Sequence, residues 1–218
     1  MMKNRKGHGL ISHIVLATIL AFLIISFSVV FTLNFRPLYY FDIDYLNIPE
    51  SSGLSEDIIK ANYDALIDYN SIFHSGLLEF PSLIMSESGE IHFIEVKNIF
   101  VAVQIIFVVT LVLGTIGIIY KRRQKDFLYL KYTAILTLVI PAVLGTVIGL
   151  NWEKSFVIFH QIFFNNDYWI FDAATDPVIT ILPDTFFFHS AVMILFIALL
   201  GSALCYFIFR RYKRHPFS

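Results

Sequence analysis

Four stretches of the chain, Ile14 to Leu33, Ile99 to Tyr120, Tyr132 to Leu150 and His189 to Phe209, contain no Asp, Glu, Lys or Arg. A helix rises 1.5 Å per residue, so about 20 apolar residues cover roughly 30 Å of hydrocarbon, and each stretch has the length of one span. Composition agrees: of 218 residues, 57% are hydrophobic and 15% charged, whereas a soluble domain averages about 45–50% apolar and about 25% charged residues. The mean hydropathy is +0.70. An ordinary soluble fold, a disordered chain and a disulfide scaffold are all poor fits. The expected fold is an all-α integral membrane protein with four transmembrane helices and a small extracellular cap.

Charge distribution orients that fold. Lys3, Arg5 and Lys6, then Lys121, Arg122, Arg123, Lys125 and Lys131, then Arg210, Arg211, Lys213 and Arg214 fall in the N-terminal tail, the second connection and the C-terminal tail, with Asp126 their only acid. The positive-inside rule makes these segments cytoplasmic. Every other acidic residue lies in the first or third connection, which are therefore expected outside. The expected organisation is a cytoplasmic tail over 1–13, spans over 14–33, 99–120, 132–150 and 189–209, an extracellular cap over 34–98, a cytoplasmic loop over 121–131, an extracellular aromatic loop over 151–188 and a cytoplasmic tail over 210–218. The first block follows basic residues as a signal peptide's would. Its apolar run exceeds the usual 7–15 residues and no small-x-small site follows it, so a retained anchor helix is expected. The basic runs read as topology determinants, and no nucleic-acid partner is expected.

The spans themselves carry little chemistry. Ionisable residues inside a membrane usually mark ion or substrate pathways, and these blocks have none except His189 at an outer end. Gln104, Pro141 and Gly145-x-x-x-Gly149 are their only other features, and close helix packing accounts for the glycines. The single Cys205 has no intrachain partner, and no P-loop, GxGxxG or HExxH is present.

Both outer connections are more informative. The first is too long for a bare loop. Ser55 stands before Glu56 and Asp57 as an N-cap would, and Ile58, Ile59, Asn62, Tyr63, Leu66 and Ile67 follow at helical spacing. This amphipathic helix could bury its face against lipid headgroups, span ends or the other outer connection. The second connection holds Trp152, Phe156, Phe159, Phe163, Phe164, Tyr168, Trp169, Phe171, Phe186, Phe187 and Phe188. Each ring singly suits an interfacial belt; together they suggest a walled pocket for an apolar tail with a polar head.

Of seven histidines, His8, His13 and His215 fall on the basic side, where solvated or headgroup-contacting side chains are expected. His92 lies just before the second span, and Glu95 is one helical turn away, placed to orient its imidazole. His160 lies ten residues beyond the third span. Both belong near the outer interface.

The ordered set His92-x-x-Glu95-Val96-Lys97, Trp152, Phe159-His160, Phe163-Phe164-x-Asn166-x-x-Trp169-x-Phe171-Asp172, Asp176 and Leu182-Pro183-x-x-Phe186-Phe187 resembles the bacterial lipoprotein intramolecular transacylases. The likeness extends over essentially the whole chain, including the four-span layout with its cap. One departure is visible, since the family commonly has Asp-Val-Lys where this chain has Glu95-Val96-Lys97.

The resemblance implies a multi-pass enzyme of the bacterial cell membrane, with both termini cytoplasmic and its active site at the outer face. Its substrate would be a diacylglyceryl lipoprotein held among membrane lipids. The reaction moves the sn-2 acyl chain to the α-amino group of the N-terminal cysteine, giving a lyso-form, N-acyl, S-monoacylglyceryl product. The tetrahedral intermediate closes an eight-membered ring through nitrogen, Cα, Cβ, sulfur, two glycerol carbons, oxygen and the acyl carbon. Holding two remote ends together is then a main task of the protein. By the same resemblance His92 and His160 are the catalytic pair, one acting as base and acid and the other donating to the oxyanion. Glu95, Lys97, Asp172 and Asp176 are orienting residues, and Trp152, Phe159, Phe163, Phe164, Asn166 and Trp169 form the substrate pocket. No metal or cofactor is called for. A non-catalytic four-span assembly or accessory protein is the alternative, with a zinc hydrolase a weaker third.

Overall fold

A computed structural model describes residues 3–214, with side chains from Gly9 to Lys213. The described residues contain eight α-helices: α1 (Lys3–Asn34), α2 (Arg36–Tyr45), α3 (Ile48–Ser52), α4 (Glu56–Tyr69), α5 (Glu87–Arg123), α6 (Leu128–Leu150), α7 (Trp152–Phe163) and α8 (Asp184–Arg214). A single 3-10 turn, Pro177–Thr180, precedes α8. Helices α1, α5, α6 and α8 are long and apolar enough to cross a membrane. That outcome follows from the solvent: hydrocarbon supplies no hydrogen bonds, so a spanning segment must pair its own amides and carbonyls.

The chain divides into two compact units. One comprises the described residues up to Val29, Ile105–Thr146 and those from Met193 onward. Here glycines set the helix contacts. A Cβ built on Gly117 would stand 2.4 Å from Leu16, one on Gly114 2.9 Å from Leu20, and one on Gly201 2.6 Å from Ile24. Of the Gly145-x-x-x-Gly149 pair only Gly145 meets a neighbour, Leu195, while Gly149 has open space. His13 corrects an expectation: it is 6% exposed rather than solvated. Its Nε2 lies 3.1 Å from Asp126, which also pairs with the buried Lys121. His8 and His215 lie outside the described side chains.

The second unit comprises Val30–Gln104 and Val147–Val192. The first and third connections fold into it around one core. Ile59, Tyr63, Leu66, Ile67 and Tyr69 of α4 bury against Tyr39 and Ile43 of α2, Ile48 of α3, Phe93 of α5, and Val178, Ile181 and Phe186. The apolar face of α4 therefore packs inside the protein rather than on lipid headgroups. Ser55 occupies the N-cap with extended geometry, but its side chain makes no capping bond. At the centre, Tyr39 and Tyr63 stack with ring centroids 3.7 Å apart, and the Tyr39 hydroxyl donates to the Ile181 carbonyl at 2.6 Å.

Two caps fix the helices that lead into the site. At the start of α5, Ser86 Oγ accepts from the Gly89 amide at 3.0 Å, and Asp176 accepts from the Ser86 amide at 2.8 Å. Asp176 thus brings a carboxylate from the third connection to a helix N-terminus, where negative charge is favoured. Asn151 caps α7 by accepting from the Lys154 amide at 2.8 Å.

The α5 cap generates a prediction. A Cβ at Gly89 would stand 2.2 Å from the Asp176 oxygen that accepts from Ser86. Gly89→Ala should therefore lower stability by about 1–3 kcal/mol through overpacking, measured as a reduced midpoint of thermal unfolding in detergent.

Candidate active site

His92 stands on α5 five residues before Lys97, in the helical stretch ahead of the apolar block that begins at Ile99. It is 5% exposed. Phe164 meets it edge-on with centroids 4.7 Å apart, and Phe171 at 5.4 Å. His160 comes from the last turns of α7, and its ring centroid lies 6.1 Å from that of His92. The chain therefore brings together two imidazoles that are 68 positions apart in the sequence, counting from 92 to 160. Phe164 touches both, at 4.7 and 5.6 Å.

His160 is oriented by backbone and rings. Its Nδ1 lies 2.8 Å from the Phe156 carbonyl. A carbonyl only accepts, so Nδ1 carries the proton and Nε2 is the nitrogen left for chemistry. Phe156 and Trp169 hold its ring at 4.3 and 4.7 Å, the indole nearly parallel. Burial lowers the His160 pKa from its ordinary value, opposed by the hydrogen bond to Phe156.

A chain of contacts links Glu95 to that ring. The Asn166 amide donates to both Glu95 oxygens, at 2.9 and 3.2 Å, and the Asn166 carbonyl accepts from the Trp169 indole at 3.1 Å. Trp169 then stacks on His160. The expected direct bond from Glu95 to His92 is replaced by this route, because Asn166 supplies two-point contact to the carboxylate. No hydrogen bond between Glu95 and His92 occurs among the described residues, and His92 Nδ1 is buried without a partner.

The remaining expected residues divide. Trp152 packs against Phe156 at 5.7 Å and Phe188 at 5.4 Å, with its indole N–H buried and unpartnered. Phe159 and Phe163 meet at a tilt with centroids 4.7 Å apart and are 46% and 54% exposed; Phe159 meets the His160 ring edge-on at 5.4 Å, while Phe163 presents surface. Asp172 accepts from the Ala174 amide and shapes a turn. Asp176 caps α5, as described, and also accepts from Thr175. Lys97 donates to the His74 carbonyl at 3.1 Å and sits 4.1 Å from the Tyr69 ring. These three charged groups brace the surrounding chain instead of touching either imidazole.

A second carboxylate and imidazole pair was not legible as a site. Asp42 on α2 is fully buried, and the His189 Nδ1–H donates to it at 2.8 Å. The available signal was a charged residue at a buried helical position, one turn from Tyr39, together with an unassigned histidine at the outer end of a span. No group of three or more His, Cys, Asp or Glu side chains among the described residues is arranged to hold a metal ion.

Comparison with known proteins places the fold and the family. The family description lipoprotein intramolecular transacylase Lit matches residues 14–187. A solved structure of the membrane-integral lipoprotein intramolecular transacylase Lit from Bacillus cereus is 42% identical, with a TM-score of 0.93 over 95% of this chain and 97% of that one. Two variants of the Bacillus cereus protein, each with one histidine replaced, by arginine or by alanine, are also 42% identical with TM-scores of 0.88. They cover 97% of this chain and 95% or 96% of their own. No curated protein matches the chain. With four apolar helices, the close pair His92 and His160 and this likeness along nearly its whole length, the chain belongs to the lipoprotein intramolecular transacylase family.

Proposed function

We infer that this transacylase moves the sn-2 acyl chain of a diacylglyceryl lipoprotein to the α-amino group of its N-terminal cysteine, with His92 and His160 as the reacting side chains. The observation that carries this reading is the 6.1 Å approach of the two rings inside an aromatic layer. The enzyme sits in the bacterial cell membrane with both termini cytoplasmic and the histidine pair at the outer face, an orientation supported by the basic tails and connection.

Donor and acceptor belong to one molecule, so the chemistry needs proton transfers and a held geometry. The neutral amine attacks the sn-2 ester carbonyl; a C–N bond forms and the carbonyl oxygen gains the negative charge. One imidazole takes the proton from the attacking nitrogen and returns it to the sn-2 oxygen as the C–O bond breaks. The other donates an N–H to the oxyanion. His160 presents Nε2 for its part, its Nδ1–H being engaged by Phe156. The rings of Trp152, Phe156, Phe164, Phe171 and Trp169 confine the glyceryl group and exclude water. Such confinement suits an eight-membered cyclic intermediate, whose closure is costly in entropy. The unpartnered Trp152 N–H is suited to a substrate carbonyl.

Three outcomes test this reading. In cells that make only diacylglyceryl lipoproteins, the expressed protein should convert them to the lyso form, read by mass spectrometry of the lipopeptide. His92→Ala and His160→Ala should each lower conversion by about 10²–10⁴-fold with the protein still in the membrane. Undiminished conversion in both would overturn the assignment. Glutamine keeps an N–H but is no base, so the oxyanion donor is the position where the Gln variant outperforms the Ala variant.

The pH dependence has a defined sign. Burial holds the His160 pKa below its ordinary value, so the ring stays neutral and basic to lower pH than a solvated histidine. The fall in kcat/KM due to His160 should lie below pH ~6.5, the unperturbed value. Phe156→Ala lessens that burial and should move the fall upward.

Glu95 should act through Asn166. Glu95→Ala frees Asn166 and Trp169 and should lower kcat more than it raises KM. Glu95→Gln, which can still accept from Asn166, should recover much of the loss. Equal damage from both would show that the charge itself is needed.

A further inference from the structure

Gln104 is a polar side chain that the proposed chemistry leaves unused. It lies five residues inside the charge-free block that starts at Ile99, about 7 Å along a helix rising 1.5 Å per residue. A primary amide there needs partners, and the cap supplies them. Gln104 Nε2 donates to the Asn70 carbonyl at 2.8 Å, and the Ile72 amide donates to Gln104 Oε1 at 3.1 Å. Lys97, two turns earlier on the same face of α5, donates to the His74 carbonyl at 3.1 Å. The segment Asn70–His74 is thus pinned along α5 at two levels, one just outside the apolar block and one inside it.

We propose that this segment is a membrane anchor, with the Phe73 side chain inserted among the lipid acyl chains of the leaflet on the cap's side. Phe73 is 92% exposed, and Ile72 and Leu77 beside it are 38% and 60% exposed. From Asn70 to Leu78 the sequence has no Asp, Glu, Lys or Arg, so no formal charge bars the tip from the membrane. Over Asn70–His74 the amides meet a stricter requirement. Irregular chain is tolerated at membrane depth only when its polar groups are paired within the protein. Asn70 N bonds to Leu66 O, Ser71 N to Asp68 O, Ile72 N to Gln104, Phe73 N to Ser71 Oγ and His74 N to Ser71 O. Five consecutive amides are satisfied without water.

The test reads position directly and is independent of the reaction. Phe73→Cys is made in a Cys205→Ala background, labelled with bimane, and the full chain is placed in phosphatidylcholine–phosphatidylglycerol vesicles. Emission at 73 should be quenched by a doxyl group near the ester end of the acyl chain and several-fold less by aqueous iodide than that of a label at Asp57→Cys, an exposed position on α4. Iodide quenching equal at both sites, with no doxyl quenching at 73, would overturn the proposal. Gln104→Leu keeps the span apolar but removes the clamp, and should return the label at 73 to iodide. A label still in lipid in that variant would overturn the assigned role of Gln104.

Discussion

Hydrocarbon offers a peptide group no hydrogen-bond partner, and the architecture follows from that constraint. It makes every spanning segment a helix. It also governs what happens where chain meets membrane, because polar groups that leave the helical ladder must be paired by the protein itself. Gln104 and Lys97 on α5 serve the cap loop in this way, and Asp176 and Ser86 serve the first turn of the same helix. Helix α5 runs without interruption from its cap at Ser86, past His92, Glu95, Lys97 and Gln104, to Arg123. The rigidity a spanning helix needs is therefore available to the histidine it carries.

Around that fixed imidazole the third connection is arranged by contacts that each hold a neighbour. Glu95 grips Asn166, Asn166 holds the Trp169 indole, and Trp169 covers His160. The cap core sits behind Phe93, which stacks on Phe171, the ring that in turn flanks His92. Rings are well suited to this task. They occupy a large area with few rotatable bonds, and they leave an imidazole few orientations without themselves taking part in proton transfer.

The fold was largely legible because its signals are local. The charge-free blocks gave the four long helices, and the spacing of Ile59, Tyr63 and Leu66 gave α4 and its buried face. The residues of the histidine pair were also legible, through an ordered pattern of His, Trp, Phe and Asp. The roles of their neighbours were less so. Helical spacing placed Glu95 beside His92, but a carboxylate takes the best donor within reach, and Asn166 arrives from another part of the chain. Phe159 and Phe163 shared a sequence neighbourhood with Phe164, yet α7 ends at Phe163 and the extended backbone of Phe164 turns that ring inward while the other two stay exposed.

The sequence by itself determined the spans, the polarity of the two sides and the types of residue available for chemistry. Those properties depend on transfer of apolar groups from water and on charge, which act residue by residue along the chain. Only the tertiary structure decided that His92 meets His160, that His189 meets a buried Asp42 and that the cap loop reaches down to Gln104. Each of these pairs residues far apart in sequence. Their meeting depends on how helix ends and loops close on one another, which no local pattern encodes.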